Sequence, residues 1–118
     1  MTTCVDFDGT ICKHVDDTLV RYADFGPMLT SAETISSATV TCADDTALTI
    51  SSVTVISVDT SVPTKQGTRT ISANKGISFG LAAGTAIDED AEPVRMKISA
   101  TLSTGKIAVR TARLRVSE

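Results

Sequence analysis

The chain has 118 residues and a formal net charge of −3, with 42% hydrophobic and 21% charged residues. This is the composition of one globular domain with one core, and it excludes intrinsic disorder. The aromatic share is only 3%, from one Tyr, three Phe and no Trp. Ser and Thr are abundant and the apolar residues are mostly Val, Ile and Ala, so the composition favours an all-β fold with small core side chains. No apolar run approaches the roughly 18–20 residues that span a bilayer, so no membrane partner is expected.

In chain order, Met1–Val5 lacks the basic and apolar regions of a signal peptide. Residues 1–27 hold every aromatic except Phe79 and read as an irregular N-terminal arm with one strand at Thr18–Ala23. From residue 28 to 118 the pattern is a β-domain. Ala38, Val40 and Cys42 share one face of a strand at Thr34–Cys42, and Ala43-Asp44-Asp45 is a turn. Leu48 and Ile50 alternate, then Val53 and Val55, and the change of phase at Ser51-Ser52 predicts a bulge or a break. Pro63–Gly67 reads as a loop. Thr68–Ala73 and Gly76–Leu81 read as short strands around a turn at Asn74-Lys75-Gly76. Ala82–Pro93 is a loop with an acidic run, Asp88-Glu89-Asp90.

The last stretch has the clearest alternation. Val94, Met96, Ile98, Ala100 and Leu102 form one face of a strand, and Ser103–Lys106 is a short loop. Ile107 and Val109 follow, with a shift of phase to Ala112, Leu114 and Val116; together these are a β-hairpin. About seven short strands at this spacing predict an antiparallel β-sandwich.

Charge is split along the chain. Residues 1–92 carry 13 acids and 5 bases, a net of −8, and residues 93–118 carry 6 bases and 1 acid, a net of +5. An acidic body with a basic end is not a nucleic-acid footprint, and no aromatics interleave with the basic strands to stack bases. It suits complementary packing within the fold or between copies. Arg95, Lys97, Arg110, Arg113 and Arg115 are therefore expected on the solvent or interface face of the hairpin. Phe7, Tyr22 and Phe25 are the candidate anchors of the arm on a partner. The alternative for Tyr22 and Phe25 is that they plug an open end of the chain's own sandwich.

Metal and cofactor chemistry is not expected. Cys4, Cys12 and Cys42 are odd in number and lack zinc-knuckle spacing, and free thiols fit synthesis in a reducing cytoplasm. His14 is the only histidine and reads as a surface residue. The acidic run has no EF-hand spacing and reads as solvated surface.

One motif points elsewhere. Val5-Asp6-Phe7-Asp8-Gly9-Thr10-Ile11 resembles the first motif of the haloacid-dehalogenase phosphatases. The resemblance implies Asp6 as nucleophile, Asp8 as general acid and a magnesium ion. That family needs a buried parallel strand before the motif and crossover helices after it. Neither is legible, so Asp8-Gly9-Thr10 reads as a turn and the phosphatase is the remote alternative.

A wider resemblance covers about four fifths of the chain. It runs through Asp16–Tyr22, Asp24-Phe25, Leu29 and Ala32–Val40. It continues through Ser78–Thr85 and the closing hairpin at Ile98–Leu102, Thr104–Lys106 and Arg113–Val116. These segments resemble small phage virion proteins of the fiber–tail adaptor kind. The match departs at Phe25, where the family usually has Trp, and at Ile87–Glu92, which looks inserted. The resemblance implies an immunoglobulin-like sandwich. It implies a non-enzymatic structural role in the virion, after synthesis in the host cytoplasm, and assembly as a homo-oligomer. The partners would be copies of the chain and other virion proteins of the tail, connector or fiber. A capsid decoration protein, partnered by the capsid protein, is the alternative.

Overall fold

The computed structural model describes residues 10–64, 67–88 and 90–118. It is all-β. The strands are β1 (Thr10–His14), β2 (Leu19–Asp24), β3 (Ile35–Thr41), β4 (Leu48–Val55) and β5 (Thr60–Thr64). They continue with β6 (Gly67–Ile71), β7 (Gly76–Ala83), β8 (Val94–Leu102) and β9 (Ile107–Ser117). A single 3₁₀ turn at Gly26–Met28 is the only helical element among the described residues, and no helix there is long and apolar enough to cross a membrane.

Two sheets face each other as a β-sandwich. One has the order β1-β9-β8-β3 and the other β2-β7-β4. All pairings are antiparallel except β1 with β9, which is parallel. One continuous core draws on both layers. Ala23, Ile77, Phe79 and Leu81 meet Ile35, Val40, Met96, Ile98, Leu114 and Val116. The alternation of β8 holds as expected, with Met96, Ile98, Ala100 and Leu102 buried. Aliphatic side chains fill most of this core around two fully buried rings, Phe25 and Phe79, the latter on the central strand of the three-stranded sheet.

The phase change in β4 is a β-bulge. Its register with β7 shifts between Ser51 and Thr54, and Ser52 has φ 53°. The extra residue moves the inward set from Leu48 and Ile50 to Val53 and Val55 without ending the strand. A second bulge, between Ile35 and Ser37 in β3, puts Ile35 on the same face as Ala38 and Val40.

Several sequence expectations are corrected. Residues 10–27 are not an irregular arm, because β1 and β2 are integral to the two sheets and Phe25 is fully buried in the core. Pro63–Gly67 is not simply a loop. Pro63 lies in β5, which pairs with β6 in a separate two-stranded hairpin. The phase of β9 does not shift. Its register with β8 is unbroken from Thr101↔Ile107 to Val94↔Leu114, so Ile107 and Val109 face outward, opposite to Ala108 and Ala112. Cys12 is disulfide-bonded and Cys42 is free, a redox state that the sequence left open.

The turn at 72–76 joins four elements. Asn74, at φ 63°, donates its N–H to Ile56 O and accepts from Ile35 N. Lys75 O accepts from Phe25 N, and Gly76 O accepts from Ile56 N. Gly76 is needed here because an added Cβ would lie 2.8 Å from Ala23 O and would overlap the Ile71 side chain.

Candidate interaction surface

The outer face of the four-stranded sheet is where the basic end of the sequence collects. The pleat decides this: residues alternate across β8, so Arg95, Lys97, Ser99 and Thr101 oppose the core set. On β9 their cross-strand partners are Arg113, Thr111, Val109 and Ile107. The face is therefore graded. Its end near the β8–β9 turn carries Ile107, 68% exposed, and Val109, 41% exposed. Its other end carries Arg95, Lys97 and Arg113, all exposed. None of these three cations has a carboxylate in ion-pair range among the described residues.

Arg115 continues the same row of β9 but does different work. Its guanidinium donates to Asp88 O at 2.8 Å and to Ala91 O at 2.6 Å. It holds the acidic loop by backbone carbonyls, and the Asp88 and Asp90 side chains stay exposed. Arg110 corrects the expectation for its position. It falls on the inward row of β9, opposite Ile98, and its guanidinium donates to Asp24 O on the other sheet. It is a tie between layers at the sandwich margin. Asp24 also pairs with Arg69 at 2.8 Å and accepts from Gly26 N at 2.8 Å, which fixes the β5–β6 hairpin to the end of β2.

The aromatic candidates divide. Phe25 plugs the core of its own sandwich. Tyr22 is 39% exposed on the outer face of the three-stranded sheet, beside Val20 and across from Ser78 and Gly80. Phe7 lies outside the described residues, as do Asp6 and Asp8 of the phosphatase-like motif. The parallel sheet with crossover helices which that motif requires is not the fold observed. No group of three or more metal-ligating side chains occurs among the described residues.

Sequence reasoning missed four buried or part-buried charges that hold this surface in place. Lys13 on β1 is 2% exposed, and its ammonium donates to His14 O at 2.7 Å, Val15 O at 3.3 Å and Ala83 O at 2.6 Å. Ala83 belongs to the opposite sheet, so Lys13 bridges the layers. Lys75, just before β7, donates to Thr30 O, Ser31 O and Glu33 O in the connection that leads into β3. Glu33 closes that turn by accepting from Thr30 N at 3.0 Å and from the Thr104 hydroxyl at 3.1 Å. The bond from the Thr30 backbone is the main cause that holds the Glu33 carboxyl below the ordinary carboxylate value. Asp45 accepts from Thr85 N, Thr85 Oγ1 and Ala47 N. The signal for Lys13 was present: alternation from the buried Ile11 puts residue 13 on the inward face.

Cys42 sits at the margin of the basic face. Its thiol donates to Arg95 O at 3.4 Å, and burial pushes its pKa up.

Comparison with protein-family models, with curated proteins and with solved structures finds no match to this chain.

Proposed function

We propose that the chain is a structural protein of a phage virion, a tail or fiber–tail adaptor that assembles in an oligomeric ring. The carrying observation is the position of the two most specific segments of the resemblance. Glu33–Val40 forms most of β3, and the closing hairpin is β8 and β9. These strands are hydrogen-bonded neighbours in one sheet. Segments far apart in sequence thus come together as one unit of the sandwich that the resemblance implies.

The strand order supports the immunoglobulin-like reading. With β5 and β6 set aside as an inserted hairpin, the seven remaining strands take the letters A to G. The sheets then read B-E-D and A-G-F-C. The immunoglobulin arrangement divides its strands as ABED and CFG, so only the first strand changes sides. A rigid sandwich with a charged outer face and open sheet edges suits repeated contacts with neighbours in a symmetric particle.

The test is location. Antibody-gold labelling of intact particles should mark the tail or its junction with the fibers. Labelling spread over the head would favour a capsid decoration protein, and unlabelled particles would overturn the virion role.

A further inference from the structure

We propose that the outer face of the four-stranded sheet is a contact between copies of this chain, with its cationic end seated on Asp88 and Asp90 of a second copy. This rests on the oligomeric reading above and names the surface that reading needs.

Arg95 and Arg113 are direct cross-strand partners, with Lys97 the next outward residue on β8. Like charges directly opposite destabilise a sheet. No described carboxylate lies within ion-pair distance of either guanidinium, and Asp44 accepts from the Arg95 backbone N–H at 3.4 Å. The chain has acids close by in the fold. The loop runs directly into β8 at Val94, and Arg115, two residues beyond Arg113, grips it through Asp88 O and Ala91 O. That grip uses carbonyl oxygens and leaves Asp88 and Asp90 exposed.

The surface therefore presents three exposed cations, with two exposed acids, Asp88 and Asp90, on the loop whose backbone Arg115 holds. Such a surface is complementary to itself. A two-fold axis would set each copy's acids on the other's cations, and a ring would set each face on the next copy's loop. Charge-assisted hydrogen bonds from guanidinium to carboxylate would form without new ordering of the loop, because Arg115 already holds it. The exposed Ile107 and Val109, on the same face beyond Thr111, supply apolar area to the same contact. A second copy is favoured over an unrelated acidic partner because both halves of the complementarity are on this chain.

The experiment is sedimentation velocity on the full chain and two variants. One is R95E/K97E/R113E and the other D88K/D90K. All five positions are exposed, and circular dichroism checks that each variant is folded. Wild type is expected to associate at low ionic strength and to dissociate at about 1 M salt, where the screening length is about 3 Å. Each variant alone should sediment as monomer, and an equimolar mixture should recover the wild-type species. If the triple variant does not fold, R113E and D90K, mixed the same way, give a smaller shift of the same sign. A monomeric wild type at low salt, a variant that assembles as wild type does, or a mixture that stays monomeric would each overturn the proposal. A chain present in particles but monomeric alone sinks this inference only; one that associates but is absent from particles sinks the adaptor reading only.

Discussion

Arg95 and Arg113 stand directly opposite each other on the outer face of β8 and β9, two guanidiniums with no described carboxylate between them. In an isolated chain this pairing opposes folding, and in an assembly it concentrates charge for a partner. The two roles make opposite predictions for one substitution. Arg113→Glu converts a repulsive cross-strand pair into an attractive one and should stabilise the monomer by about 0.2–1 kcal/mol. The same change should weaken self-association. Urea unfolding at low protein concentration, beside sedimentation at high concentration, reads the two effects separately. A loss of monomer stability would show that Arg113 has a partner this account lacks.

Lys13 is predicted to tie the layers together. Lys13→Met keeps the aliphatic stem and removes the ammonium from His14 O, Val15 O and Ala83 O. Hydrogen bonds from a charged donor contribute more than neutral ones, so a loss of about 2–3 kcal/mol in unfolding free energy is expected. A change within about 0.5 kcal/mol of wild type would show that the carbonyls find water instead.

The contrast between Lys13 and β8 shows what the sequence could tell. Strict alternation from Val94 to Leu102 identified a strand, its buried face and its hairpin, because burial imposes period 2 on side chains. The same rule located the Ser51-Ser52 bulge from the change of phase between Ile50 and Val53. It misled at Ile107 and Val109. Apolar side chains there were read as inward, although an unbroken register with β8 puts them on the outer face. Exposed apolar residues cannot be told from core residues by hydropathy alone. Residues 10–27 were legible only in part: the strand read at Thr18–Ala23 is β2, but β1 and the place of both strands in the sheets were not read. The two strands are short, carry polar residues and pair with partners about 50 to 100 positions away. Arg110 is exposed as read, but it lies on the inward row at a sheet margin and reaches a carbonyl that only the folded layers bring near.

Glu33 should make stability depend on pH. Its carboxyl is held below the ordinary value of 4.5 chiefly by the Thr30 backbone N–H, so the folded state favours the ionised form. That stabilisation is fully present above the unfolded value and is lost as pH falls through the lower folded value. Glu33→Gln should therefore be less stable than wild type at pH 6–7, and the gap should narrow as pH falls below 4.5. Thermal unfolding across this range tests it. A gap that widens on acidification would contradict the assignment.

Ala83 ends β7 with φ 56°, just before Gly84 at φ 104°. An L side chain in this left-handed region costs about 1–2 kcal/mol, and glycine removes that cost while adding chain entropy to the unfolded state. Ala83→Gly should be stabilising by about 0.5–1 kcal/mol, read as a higher urea midpoint at unchanged slope. A lower midpoint would place the strain elsewhere.

The central claim is that this sandwich is a component of a particle, built to contact its neighbours. The most direct measurement is the amount of the chain in purified particles, by quantitative mass spectrometry against the major capsid protein. The account predicts a fixed stoichiometry of on the order of tens of copies or fewer, as expected of a closed symmetric ring. Its absence from particles would contradict the account.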